Sequence, residues 1–422
     1  LSNYIRLLRS NHNYALLWLA QVISLTGDWF NTITLSALVA RYNSDNPGVA
    51  VSVFFLARFL PPLIVSPFVG VLADRFERKN LLILSNVLRA LVVLGYLLVT
   101  TSEMVWLIYA LSIAQSMLSA IAEPAQSALI PNIVDEKDLV LSNTLSSITW
   151  SAMLSVGAII GGVVASVFGA AFALTFDALT FVAAALLIWQ IHPRPIQERK
   201  KTHAEEGSFR DGLAYLAKHR ETLAVMFVKG GNSLGNVDTL MTIFGTQIFI
   251  LGVDGQLSLG LMYSAFGIGA VLGPVMMNRF HDGSVRQMER LLLVGFLFAL
   301  TGWLVMGSAG ALWIVLVALF IRAIGGSVNW TYSSVILQKT VPDQFLGRVF
   351  SLDMAIFQLA TVLSTYAHGA LVDVFGKEYV RAIALGTAGV ALLPLILWSI
   401  NLRVKARGER IVTEKTEPQI LD

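Results

Sequence analysis

Apolar runs of about twenty residues recur along nearly the whole chain, each long enough to cross a hydrocarbon layer of about 30 Å as a helix. The pattern predicts twelve spans, over 14–40, 50–72, 80–100, 105–130, 140–167, 170–191, 222–251, 257–279, 289–309, 312–337, 346–374 and 379–401. One longer polar and basic stretch, 192–221, interrupts the series after the sixth. It divides the chain into an N-terminal six-helix half (1–191), a linker (192–221), a C-terminal six-helix half (222–401) and a tail (402–422). Within the linker, Ser208 can cap a short helix that carries Phe209, Leu213 and Leu216 on one face, suited to the membrane surface. The alternative is a plain tether. The fold class expected is an all-α membrane protein.

Composition agrees. The 422 residues are 55% hydrophobic and only 14% charged, against roughly 25% charged in soluble domains. With an even number of spans, both termini share one side. Most of the 30 Lys and Arg fall on that side, leaving only Arg41, Lys377 and Arg381 opposite. By the positive-inside bias, both termini and the linker are cytoplasmic. The same bias accounts for the net charge of +3 without a nucleic-acid partner. Absence of cysteine excludes disulfides, thiol nucleophiles and thiolate metal centres. No Walker loop, GxSxG or HExxH occurs, and the six histidines are scattered, so neither an ATPase, an intramembrane enzyme, a metal site nor a cofactor is expected. Trp18, Trp106, Trp189, Trp303, Trp313 and Trp398 lie near span ends, where interfacial aromatics belong. Trp29, Trp150 and Trp330 do not.

The two halves echo each other. Val134-Asp135-Glu136-Lys137-Asp138-Leu139 follows span four, and Val341-Pro342-Asp343-Gln344-Phe345-Leu346 follows span ten. Thr26-Gly27-Asp28 lies midway along span one, and Leu234-Gly235-Asn236-Val237-Asp238 midway along span seven. Such duplication is a transporter feature, with substrate held between the halves near the midplane. Between spans two and three runs Gly70-Val71-Leu72-Ala73-Asp74-Arg75-Phe76-Glu77-Arg78-Lys79. This resembles the loop signature of the major facilitator superfamily, G-x-L-A-D-R-x-G-R-K, with Glu77 in place of the second glycine. The resemblance covers nearly the whole chain and implies the major facilitator fold, two six-helix pseudo-repeats. It also implies a cytoplasmic gate formed by Gly70, Asp74, Arg75 and Arg78. Thr26-Gly27-Asp28 and Glu123-Pro124-Ala125, running on to Pro131, are similar to the macrolide-efflux and siderophore-exporter branch of drug:proton antiporters. Span five departs from the G-P-x-x-G-G pattern of exporters, reading Gly157-Ala158-Ile159-Ile160-Gly161-Gly162.

Polar residues recur at helical spacing on spans one, four, seven and ten, the set that lines the central cavity in that superfamily. Gln21, Ser24, Asp28 and Asn31 form one stripe, and Gln115, Ser119 and Glu123 another. Asn232, Thr239, Thr242 and Asn329 extend it on spans seven and ten. These stripes line a substrate cavity or bond helix to helix. Trp29, Trp150 and Trp330 either stack on substrate or pack. Ionisable groups inside spans are costly, about 2.5–3.5 kcal/mol each at a helix centre, so partners are expected. Depth matches Asp28 with Arg58, Asp238 with Arg322, Arg89 with Glu123, and Lys229 with Asp353, leaving Asp177 to a local role. Desolvation can bring a carboxylate's titration toward physiological pH, which suits proton coupling. Asp28 is the first candidate, then Glu123 and Asp238; permanent salt bridges are the alternative.

Taken together, the residues and the resemblance lead to a proton-coupled secondary transporter. It would export hydrophobic or amphipathic drugs or secondary metabolites by alternating access, as a monomer in a bacterial cell membrane. Siderophore export and lysophospholipid movement on the same fold remain alternatives.

Overall fold

The computed structural model describes residues 2–193, 215–280 and 282–416, with side chains at all of these except 2, 66–75, 343, 344 and 408–416. A short helix, α1 (Ser2–Ser10), leads into α2 (His12–Tyr42). Asn11 separates them: its side-chain oxygen caps α2 by accepting from the Tyr14 N–H, and its amide donates to the Ile133 carbonyl. There follow α3 (Pro47–Arg75), α4 (Arg78–Tyr96), α5 (Val105–Ile133), α6 (Leu139–Phe168) and α7 (Ala170–Trp189). Past the linker come α8 (Arg220–Ser233) and α9 (Asp238–Ile243), which runs into a π-turn at Phe244–Ile248. The series ends with α10 (Gln256–Met277), α11 (Val285–Gly307), α12 (Leu312–Thr340), α13 (Asp343–Phe375) and α14 (Val380–Thr416).

Ten helical stretches among the described residues are long and apolar enough to cross a membrane. The expected spans one and seven are not among them, for two reasons. Helix α2 is 31 residues long, but its polar stripe dilutes its hydropathy. Span seven is broken: α8 stops at Ser233 and α9 starts at Asp238. Interrupted backbone inside a membrane persists only where other protein groups satisfy it.

The duplication has a nearly constant register. Helices α5 and α12 are both 29 residues long and begin 207 residues apart. Gly169 and Gly376, also 207 apart, both turn the chain at positive φ, +85° and +96°. Gly162 and Gly369 share that spacing and a task. A Cβ on Gly162 would lie 2.8 Å from the Gly260 Cα, and one on Gly369 would lie 2.3 Å from the Gly48 carbonyl oxygen. At these two crossings, α6 on α10 and α13 on α3, only hydrogen side chains let the halves touch backbone to backbone.

Three large apolar cores define the shape, beside a small cluster of Phe30, Ala165 and Ala173. The first lies at the end of the bundle far from the linker and joins both halves, with Ile33, Val51 and Phe54 from one and Leu240, Leu259 and Val372 from the other. At the linker end there are two separate cores. One, around Leu82, Leu129 and Ile188, belongs to the first half; the other, around Met226, Leu292 and Val328, belongs to the second. A molecule with one shared core at one end and two at the other has a cleft between its halves, open toward the linker.

Candidate functional site

Hydrogen bonds reinforce the far-end closure. Asp373 accepts from the backbone N–H groups of Gly48 and Val49, both at 2.8 Å, so α13 caps the N-terminus of α3 across the interface. Arg41 pairs with Asp254 at 3.0 Å. The Ser52 hydroxyl donates to the Thr365 carbonyl at 2.7 Å and lies 3.2 Å from the Thr239 hydroxyl. At mid-depth the Gln358 amide donates to the Phe59 carbonyl. This seam absorbs residues expected in the cavity: Thr239 and Thr242 are fully buried. The Thr242 hydroxyl donates back to the Asp238 carbonyl of its own helix at 2.9 Å.

In the first half, Arg89 on α4 forms an ion pair with Asp28 on α2 at 2.7 Å, and its guanidinium lies 4.0 Å from the centre of the Phe181 ring. Depth had matched Asp28 with Arg58 and Arg89 with Glu123. Arg58 instead donates to the Asn31 side-chain oxygen at 3.1 Å, and Glu123 has no ion-pair or hydrogen-bond partner for its carboxylate among the described residues. Behind the pair sits Asp177 on α7, fully buried, with Asp28, Arg89, Asn31 and Arg58 as its electrostatic neighbours. It lies so close to Gly27 that a Cβ there would be 2.4 Å from its Oδ1. The glycine before Asp28 therefore makes room for a second carboxyl, whose Oδ1 accepts from the Thr180 hydroxyl one turn along its own helix at 3.5 Å. Gln115 is also buried rather than lining the cleft: its oxygen accepts from Tyr96 at 2.9 Å. Asn31 is fully buried as well.

In the second half, Arg322 does not pair directly with Asp238. It donates to the carbonyls of Gly235, at 2.6 Å, and Asn232, at 3.1 Å. These are carbonyls freed where span seven breaks, at the negative end of α8, where a cation is favoured. Asp238 begins α9 and accepts from the Tyr263 hydroxyl at 2.9 Å and the Asn236 amide at 3.1 Å. Tyr263, which the sequence reading did not single out, also meets Trp29 across the interface, with ring centres 5.1 Å apart. Trp303 is not interfacial but buried against Gly235. Trp398 is buried too, its indole N–H donating to the Glu289 carbonyl. Asn329 is fully buried, packed on Gly295 of α11.

Lys229 and Asp353 do pair, at 2.5 Å, both fully buried. The Trp330 and Phe350 rings lie 4.8 and 5.4 Å from the ammonium. Of the remaining cavity candidates, Gln21, Ser24, Ser119 and Asn232 are half-buried, while Trp150 and Trp330 are exposed. Arg78 donates to the Ala128 carbonyl and to Asn132, tying its loop to the end of α5 within its own half. The side chains of Gly70, Asp74 and Arg75 lie outside the described residues, as does the expected linker helix from Ser208 to Leu213.

The fold and site can be set beside known proteins. A family described as transmembrane secretion effectors, within the major facilitator superfamily, matches residues 8–421. The uncharacterized MFS-type transporter YfiS of Bacillus subtilis is 25% identical, covering 97% of this chain and 98% of its own. The multidrug resistance efflux pump PmrA of Streptococcus pneumoniae is 24% identical, covering 85% and 87%. Among solved structures, the nucleoside transporter NupG superposes with a TM-score of 0.68 at 10% identity, over 91% of this chain and 98% of that one. A bacterial homologue of the lysosomal transporter Spinster, in an inward-facing and unoccupied conformation, gives 0.69 at 12%, over 93% and 97%. At such identities these two speak for the fold alone. The chain is a multi-pass membrane protein that belongs to the transmembrane secretion effector family of major facilitator transporters.

Proposed function

We propose that the protein exports hydrophobic or amphipathic small molecules across a bacterial plasma membrane in exchange for protons, with both termini in the cytoplasm. The observation that carries this is the Asp28–Arg89 ion pair at the cleft, backed by the buried Asp177. A carboxylate that holds an arginine only while ionised is a two-state contact. Adding a proton to Asp28 removes its charge and frees Arg89 to turn elsewhere, which rearranges the wall of the cleft. The direction of transport rests on the similarity to an efflux pump and on the basic residues gathered at the linker end. Substrate would enter the cleft from the cytoplasm. The far-end seam would then part as the linker end closes, by rocking of the two halves.

The test is transport in proteoliposomes under an imposed pH gradient, comparing wild type with Asp28→Asn for uptake of a lipophilic dye. Gradient-driven uptake in wild type, lost in the variant while dye binding persists, supports the reading. Equal uptake with and without Asp28 refutes its role as the proton carrier.

A further inference from the structure

A cavity of about 500 Å³ opens at the linker end of the second half. Its walls come from the end of the linker and from α8, α11, α12 and α14, and no residue of the first half lines it. It is therefore separate from the cleft. The 14-residue helix α8 begins at this cavity with its N-terminus open. No side chain caps it, and the first N–H bonded back is that of Leu223, to the His219 carbonyl at 3.2 Å. The N–H groups of Arg220, Glu221 and Thr222, all on the cavity wall, have no backbone partner among the described residues.

Thr222 gives an independent sign. It lines the cavity and is only 6% exposed, yet its hydroxyl has no hydrogen-bond partner among the described residues. Thr242 and Thr340, by contrast, bond back to carbonyls one turn earlier. A buried hydroxyl without a partner is costly, and a ligand in the cavity would supply one.

The charges point the same way. Lys405 sits between Glu289, at 2.7 Å, and Glu221, at 2.9 Å. Lys218 and Arg220 are exposed on the wall and have no ion-pair partner among the described residues. Three cations thus face two carboxylates, with His219 beside them, its Nδ1 at 2.8 Å from the Tyr215 carbonyl. The remaining wall includes Val225, Val285, Ile336 and the Tyr215 ring.

We infer that this cavity binds an organic phosphate. Open N–H groups at a helix start, a guanidinium, an ammonium and a hydroxyl together match a tetrahedral oxyanion. The two carboxylates on Lys405 limit the negative charge the site accepts, which favours one phosphate group over a polyphosphate. A bare phosphate would leave most of the space unfilled. The volume is that of a small-molecule pocket, and the apolar wall suits a carbon body. Such a group comes from a soluble phosphate ester or from a phospholipid headgroup. This inference does not rest on the export reading.

The experiment is a titration of the purified full chain in neutral detergent, with bound copies counted by native mass spectrometry. Glycerol phosphate is the soluble probe and dioctanoyl phosphatidylglycerol the lipid one. Wild type is expected to take up a single copy of one probe saturably. Arg220→Gln and Thr222→Val should each weaken that binding about tenfold, as loss of one hydrogen bond to a charged group does, and Thr222→Ser should keep it. Arg9→Gln, which removes an exposed cation at the same end of the first half, should bind as wild type. Uptake of glycerol phosphate supports a soluble ester as the source, and uptake of the lipid alone supports a headgroup. Binding of neither probe, binding untouched by Arg220→Gln and Thr222→Val, or equal loss in Arg9→Gln overturns the site. Because no transport is measured, failure here leaves the export reading intact, and failure of gradient-driven uptake leaves this site intact.

Discussion

At the residue scale, the sequence identified which charges lie inside spans but not which of them meet. Depth along a helix fixes a height and says nothing about azimuth, and an arginine side chain can reach several acids at one height. Lys229 and Asp353 had one plausible partner each and were paired from depth alone. Depth set Arg58 beside Asp28 and Arg89 beside Glu123, whereas helix rotation brings Arg89 to Asp28 and Arg58 to Asn31. The Lys229–Asp353 pair also carries a stability prediction. Removing one partner strands a buried charge, which costs about 3–5 kcal/mol, whereas replacing both by apolar residues is close to neutral. Lys229→Met should therefore lower the unfolding midpoint in detergent markedly, and Lys229→Met/Asp353→Leu should regain most of it. A single variant as stable as wild type would show that the pair is not buried as described.

At the scale of helices, the repeat was visible in the sequence at two places, after spans four and ten and midway along spans one and seven. Its register emerges only when paired glycines turn the chain and cross helices at matching positions. Span seven shows why hydropathy fell short. Its apolar run continues past Gly235, but Arg322 rewards a break there by binding the freed carbonyls of Asn232 and Gly235. Asp373 was missed because no single-helix pattern marks a carboxylate whose partners are backbone amides of another helix. That cap gives a prediction. Asp373→Asn loses the charge that favours the N-terminus of α3, worth about 0.5–2 kcal/mol, and should shift the molecule toward opening at the far end. Gly369→Val should do so more strongly, since even its Cβ would lie 2.2 Å from the Ser52 hydroxyl. Thiol labelling of a cysteine placed at Ser36, fully buried in the present state, should speed up in both variants. Unchanged labelling would mean that the seam does not hold the far end shut.

For the whole molecule, one shared core and two separate ones describe a bundle closed at one end and parted at the other, the geometry alternating access requires. The central claim is that a proton on Asp28 shifts the balance between this state and its opposite. The chain has no cysteine, so spin labels can be introduced without removing any residue. A pair at Asp45 and Glu378 reports the far end, and a pair at Asn143 and Gln338 the linker end. Distances measured by pulsed electron resonance across a pH series should change in opposite senses at the two ends. Asp28→Asn should hold both at their acid values whatever the pH. If the variant responds to pH as wild type does, or the two ends move together, protonation of Asp28 does not drive the exchange of access.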